Sequence, residues 1–587
     1  MGLERKSPMK KKVGKKARLA DYKKTVISGG FVAVIAIAGI FIGINIYENS
    51  EVKEESIFTI GGITGLNFIG TLEYYDPDVD SAFVINQIAE GLLDYKVTSN
   101  GTEFFPNLAE DYEWSNNATE LTCYLRRGVQ FHDGTPFNAT AVKWNFDRIA
   151  RLINVMGYPF IWLHADGIQI LNETKVLDDY TVKFILNRPY VPFESILTCS
   201  QAYILSPKST PADDFVDLEA GLVGTGPFLY ESSHRIYDPF LLGPFKFINI
   251  NTTLIANTNY WDDKPKIDRL VLKVYANNTL RREAIISGDI DYTMLWPYAP
   301  EDYSSIPELR LETFYSRYIY FISMDNNIIN TSMRKAISYA LDYDQLLAIQ
   351  HPRWEVDVVR CRSPLSKGLP YANWSAFDVP IYNITKARET LLDVGWPGTA
   401  GLIVDSNITA GNEWELIANS STPLASYNFS YIIGNPWRTN LTFTFLENLK
   451  QIGVNIEPIG LTWPEFWVEY PVPYPQSQFH YVGLGPDMTA PSRNINPLYS
   501  NKQDGHSNYF HVNDTILQQL MEQALVETNE TARGLVYYQI QERLVEDIFP
   551  FIWYYTPIGV NVHPQYLGEI DYLTAPYKIL VKNINFK

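Results

Sequence analysis

A chain of 587 residues with 46% apolar and 19% charged side chains is too hydrophobic for a disordered polymer and too long for one core, so two or more folded lobes are expected. The formal net charge is −18, but residues 1–25 hold ten Lys or Arg against Glu4 and Asp21, so this tail carries +8 and the remainder −26. A body of that charge repels phosphates, which excludes nucleic acid as its partner.

Residues 1–25 form a basic tail, and Val26 to Tyr47 follow as 22 residues without a charge. At about 1.5 Å per residue such a helix crosses a hydrocarbon core of about 30 Å, so a transmembrane anchor is expected over 26–47. The cations before it place the N-terminus in the cytoplasm, and everything from the polar stalk 48–55 onward outside the cell membrane. A cleaved signal peptide would carry a shorter apolar stretch and a small-residue cleavage pattern.

Beyond the stalk, "IFTIGGITG" reads as a buried strand ending in a Gly turn. Asn138 caps a helix that places Val142, Phe146 and Ile149 on one face. A single helix is expected over 331–349 from the spacing of Met333, Ile337, Ala340 and Leu341. Another starts near Asn383 and stops at Gly395. "TNLTFTFLENLKQIGVNIEPI" is a helix, a Gly453 stop and a strand, and the C-terminal region reads as two helices before an aromatic strand. The fold class is mixed α/β, in several lobes.

Fifteen Asn-x-Ser/Thr patterns occur, all beyond residue 47, which fits glycosylation on an external surface. Cys123, Cys199 and Cys361 allow at most one disulfide and are too scattered for a zinc site. No nucleophile elbow, phosphate loop, His-Glu-x-x-His or dinucleotide fingerprint is present. His132-Asp133 in "FHDGTPF" is turn chemistry, in which Asp bonds backbone and Gly takes positive φ. Neither an enzyme, a cofactor nor a metal site is expected.

From Gln87 to Arg151 the chain carries Glu90-Gly91-Leu92, Pro106, Leu108-Ala109, Trp114, Leu125-Arg126 and the "FHDGTPF" turn in one order. This stretch resembles the family 5 extracellular solute-binding proteins, the dipeptide-, oligopeptide- and nickel-binding group. "GTGPF" at 224–228, "NTNYWDDKPKIDRLVLKVY" at 257–275, "SGDIDY" at 287–292 and "MRKAISYALD" at 333–342 continue the likeness.

The resemblance implies a bilobal, periplasmic-binding-protein-like α/β fold. One lobe would comprise 56–85, 205–314 and 546–587, an extra subdomain 86–204, and the other lobe 315–545, with hinges near Tyr315 and Asp547. It also implies a monomer that captures a peptide or oligosaccharide ligand for an ABC permease complex, without altering it; a sensory or adhesive ectodomain is the other class of reading. The family's ammonium-binding Asp maps to Asp487, although Leu484 stands where a Trp is usual and Pro486 adjoins the Asp. Arg493 could instead neutralise Asp487. Trp463, Trp467 and Trp437 are the stacking platforms a sugar ligand would use, with core packing as the alternative role for each.

Overall fold

The computed structural model describes residues 55–62, 79–98, 101–156, 169–213, 221–237, 247–275, 277–295, 303–393, 413–462, 465, 477–485, 490–503, 508, 510–567 and 584. The charge-free stretch 26–47 lies outside the described residues, as do Trp463, Trp467 and Asp487. Among the described residues no helix is long and apolar enough to cross a membrane.

The fold opens with β1 (Ile57–Gly62) and α1 (Val79–Ile88). A hairpin of β2 (Leu93–Thr98) and β3 (Gly101–Pro106) follows. Next come β4 (Ala109–Ser115), β5 (Glu120–Leu125), β6 (Leu171–Asp178) and β7 (Thr181–Leu186), an antiparallel sheet in the order β4-β5-β7-β6. Helix α2 (Ala139–Met156) packs on β6 and β7, and its face of Val142, Phe146 and Ile149 is buried as its spacing requires. Burying a side chain such as Phe146 is worth roughly 1.5–3 kcal/mol.

A larger sheet starts from β1 and adds β8 (Phe228–Tyr237), β9 (Phe247–Ala256), β10 (Arg269–Val274) and, after α3 (Asn278–Ser287), β11 (Tyr292–Leu295). β12 (Leu309–Tyr315) and β13 (Ile319–Met324) lead to α4 (Thr331–Ala340), α5 (Tyr343–Gln350), β14 (Val358–Arg360) and α6 (Ile384–Asp393). An α/β run of β15 (Ala425–Ile432), α7 (Pro436–Lys450), β16 (Val454–Leu461) and β17 (Phe479–Leu484) comes next. Helices α8 (Ser492–Tyr499), α9 (Thr515–Val526) and α10 (Glu530–Glu542) precede β18 (Phe551–Pro564). The strand order is β16-β15-β17-β13-β18-β11-β1-β10-β9-β8, with β12 and β14 also paired to β18.

β18 is the spine of this sheet. Its first half pairs with β13 and β14 and its second half with β11 and β12, so one strand runs through two separate cores. Phe551, Trp553 and Tyr555 belong to a core with Ile322, Phe429 and Phe479, whereas Val562 packs with Ile285 and Ile290. A further core around Phe58, Ile88 and Leu270 fills the β1 side, and Leu121, Phe146 and Phe184 centre the four-stranded sheet. Burial on both faces explains why the sequence of β18 reads as nearly unbroken apolar and aromatic residues.

Several local expectations can be compared with this structure. Gly453 ends the α7 unit with φ +77° and β16 begins at the next residue. The single helix expected over 331–349 is instead two. Leu341 is extended, the Asp342 carboxylate accepts the Gln345 N–H at 3.0 Å, and Asn448 Oδ1 accepts the Asp342 N–H at 2.7 Å. A new cap and a tertiary hydrogen bond thus interrupt an apolar spacing that would otherwise continue.

Cys123, Cys199 and Cys361 are all buried free thiols, and burial pushes the Cys361 thiol up to about 12. Five of the fifteen Asn-x-Ser/Thr asparagines, Asn138, Asn277, Asn330, Asn383 and Asn529, are helix N-caps whose Oδ1 accepts a first-turn N–H at 2.9–3.0 Å. Each such cap is worth about 1 kcal/mol, which gives those asparagines a structural reason to be present.

Candidate functional site

The segments that make the sequence recognisable meet in one buried knot. Glu90 is 7% exposed, and its carboxylate accepts Tyr260 OH at 2.6 Å, Thr225 Oγ1 at 2.8 Å and Trp261 Nε1 at 2.9 Å. Three donors make burial of that oxygen pair tolerable, and the same bonds tie "GTGPF" and "NTNYW" to the Glu90 turn. Gly226 passes so close beneath residues 87–88 that a Cβ there would meet the Gln87 carbonyl oxygen at 2.6 Å.

The "FHDGTPF" turn closes the knot from the other side. His132 donates its N–H to the Gly224 carbonyl at 2.9 Å, and its Nε2 meets the Gly226 carbonyl at 2.9 Å. Asp133 accepts from Thr135 N (3.0 Å) and from the hydroxyls of Thr135, Ser206 and Ser209, each at 2.6 Å. Burial works to raise the Asp133 pKa, but these hydrogen bonds outweigh it and hold the carboxyl well below the usual range. Burial lowers the His132 pKa, against the Gly226 hydrogen bond and the Asp133 charge that raise it. Apart from His132 Nδ1, which is buried without a hydrogen-bond partner among the described residues, these polar groups hold chain to chain, so the knot is scaffold.

A candidate site lies elsewhere, at one end of the large sheet. β15 is parallel to both β16 and β17, and their carboxyl ends fall at Ile432, Leu461 and Leu484. In open α/β sheets ligands bind in the crevice outside the carboxyl ends of such strands. The segment after β15 turns at Gly434 (φ +85°) into α7, whose first turn carries Trp437 and Arg438. The residues after β16 include Trp463 and Trp467, and those after β17 include Asp487 and lead to Arg493. Of the five residues nominated from the sequence, Trp437 lies in the first turn of α7 and Arg493 in α8, while Trp463, Trp467 and Asp487 lie outside the described residues.

Trp437 stands edge-on to Tyr481 of β17, with ring centroids 5.4 Å apart. Tyr481 OH donates to Gln350 Oε1 at 3.0 Å and lies 2.9 Å from Tyr555 OH, while Gln350 Nε2 donates to Tyr555 OH at 2.7 Å. Tyr320 stacks on Tyr555 at 4.7 Å and on Tyr481 at 5.7 Å. Burial raises the Tyr481 pKa, against the Tyr555 and Gln350 hydrogen bonds that lower it. Gly483 and Gly485 leave room for the rings of Tyr320 and Tyr318, where any Cβ would overlap.

Arg493 opens α8, and its N–H donates to the Ala490 carbonyl at 3.0 Å. It faces Tyr190, whose pKa burial raises and the Arg493 charge and Ser492 lower. Tyr320, Gln350, Arg438, Tyr481 and Tyr555 were not singled out in the sequence, where Tyr320 and Tyr555 stand 235 positions apart. The one local signal was the pair of glycines in "YVGLG", spaced to admit two rings over one strand end.

Tyr481, Gln350 and Tyr555 are buried and bonded to one another, so they brace the strand ends from within, beside Trp437 and Arg438 at the start of α7. Among the described residues no group of three or more His, Cys, Asp or Glu could hold a metal ion. The fold and this site define an α/β solute-binding protein. Residues 103–506 match the family of bacterial extracellular solute-binding proteins, family 5 Middle, and the chain belongs to that family. It is accordingly an extracellular binding protein and not an enzyme.

Heme-binding protein A of Haemophilus influenzae is 25% identical over 84% of this chain and 85% of its own length. The glutathione-binding protein GsiB of Escherichia coli K12 is 26% identical over 57% of this chain, and the match spans 60% of that relative. Among solved structures, AppA of Clostridium difficile, a putative peptide-binding protein, has a TM-score of 0.71 at 18% identity, covering 91% of this chain and all of that one. DppA of Helicobacter pylori, in complex with the peptide STSA, has a TM-score of 0.65 at 19% identity, covering 90% and 97%. These likenesses establish the fold.

Proposed function

We propose that the chain is the solute-binding component of an ABC importer, anchored through residues 26–47, and that its solute is an oligopeptide closed upon by two lobes. The observation that carries this reading is the convergence of three parallel strand ends beside the aromatic shelf, with Asp487 on the chain that leaves β17. Asp487 is the residue that, by the family resemblance, supplies the counter-charge for a peptide's ammonium group. A peptide solute also agrees with the glutathione-binding relative, whose ligand is a tripeptide, and with the peptide held by the structural neighbour DppA.

Closure follows from the connections. On this reading one lobe is 56–85 with 205–314 and the second half of β18, the other is 315–545 with the first half of β18, and 86–204 is the subdomain; the lobes are joined where β12 passes to β13 and where β18 changes partners, beyond the crossing expected near Asp547. Between these pairings Ser316 N donates to the Pro557 carbonyl at 3.0 Å, and Ser366 Oγ donates to the Ser316 carbonyl. A hinge of so few residues needs few φ/ψ changes.

Thermal denaturation with defined peptides tests the reading. A peptide at a hundredfold excess over its Kd stabilises the folded state by about 2.7 kcal/mol. Asp487→Ala is expected to remove that gain. Stabilisation by neutral oligosaccharides with none by peptides would overturn the peptide assignment.

A further inference from the structure

Helix α9 buries side chains in two different cores. Leu517, Met521 and Ala524 fall at helical spacing and enter the core around Phe429 and Phe479, whereas Leu525, only 7% exposed, enters the core of the four-stranded sheet. Among the described residues the other buried members of that second core all come from residues 92–204. One leucine from the 315–545 part of the chain thus fills a socket built by the 86–204 part.

The backbone meets at the same place. The last carbonyls of a helix lack an intrahelical donor, and the Leu525 carbonyl accepts the Val191 N–H at 2.9 Å. Among the described residues this is the one backbone hydrogen bond between 86–204 and 315–545. Polar groups flank it. Tyr190 is buried beside Ser492 and Arg493, and Glu194, in the one-turn helix Phe193–Ile196, faces the charge of Arg533 on α10.

The two sides are separable, because each flanking charge keeps partners of its own. Glu194 accepts the Trp114 Nε1 hydrogen, while Arg533 donates to the Glu527 carbonyl at 2.9 Å and to Tyr371 OH at 3.3 Å. Parting them breaks one backbone hydrogen bond and uncovers one leucine, and it strips neither charge of its hydrogen bonds. A junction that narrow opens far more readily than the continuous sheet carried by β18.

We propose that Leu525 is the plug of a latch: seated in its socket it holds the subdomain 86–204 against the lobe 315–545 in the solute-free chain, and it leaves the socket when the crevice opens. This rests on the two-lobe closure proposed above and not on the identity of the solute. Leu525 is a positioning residue, which acts on solutes only through the closed arrangement, so loosening it weakens the binding of every solute by one common factor.

The test places spin labels at Lys175→Cys on β6 and Gln519→Cys on α9, both exposed positions, in the full chain, where Cys123, Cys199 and Cys361 are buried. The solute-free protein is expected to give one narrow distance distribution. Leu525→Ala and Leu525→Glu are expected to shift it to longer distances and Leu525→Met to keep it, with melting temperatures verifying that each variant folds. Saturating penta-alanine is expected to return Leu525→Ala to the narrow distribution; if it does not, the latch stands and the peptide reading falls. Distances unchanged in Leu525→Ala and Leu525→Glu, with only the melting temperature lowered, make Leu525 ordinary core packing and overturn the latch. A broad distribution in the solute-free parent that penta-alanine narrows overturns the latch and keeps the closure.

Discussion

Phe314 on β12 and Gly559 on β18 are paired across the sheet, and the Phe314 ring lies over the Gly559 Cα so closely that a Cβ at 559 would overlap it. The contact sits one residue beyond the Tyr315–Ile558 pair, where β18 changes from one core to the other. Gly559→Ala is expected to cost about 1–3 kcal/mol through overpacking, read from urea denaturation. Adding Phe314→Leu should return part of that loss. A fully additive double variant would show that the ring and the glycine are not coupled.

Glu90 holds three hydrogen bonds from two distant segments in a buried setting. Glu90→Gln presents an amide N–H₂ toward donors that need an acceptor, so we expect a loss of about 2–4 kcal/mol in unfolding free energy. Thr225→Val removes a single donor, and about 1 kcal/mol is expected there. Equal losses in the two variants would contradict the account of Glu90 as the shared acceptor.

His480 gives the fold a dependence on pH. Burial lowers its pKa from 6.5 to about 4, against a backbone hydrogen bond at Ser477 that raises it. The folded state therefore holds His480 neutral, and the unfolded chain takes up the proton first. Its contribution is complete above pH 6.5 and is lost as the pH falls from 6.5 toward 4, by about 2–3 kcal/mol. Urea midpoints at pH 7 and pH 4.5 measure this, and His480→Gln should narrow the difference between them. An unchanged difference would assign the acid sensitivity to other groups.

Much of the local structure was legible in the sequence because short-range chemistry dictates it. Asn138 and Asn383 cap their helices, Gly453 takes the left-handed conformation that ends α7, and Val142, Phe146 and Ile149 share one buried face. The break at Leu341–Asp342 was hidden, since the apolar spacing runs through it and the deciding contact comes from Asn448, more than a hundred positions away. The site was legible in part. Trp437 was named as a possible stacking platform, but Tyr320, Tyr481 and Tyr555 meet only through strand register, which local periodicity does not specify.

The most direct test of the account is hydrogen–deuterium exchange of the full chain with and without saturating alanine peptides. The account predicts slower exchange in residues 433–438 and 485–493, at the strand ends, and in 315–319 and 556–559, where the chain passes between cores. Unchanged exchange in all four segments, or protection confined to the far edge of the sheet at β8 and β9, would contradict a solute held at the carboxyl ends of β15 to β17.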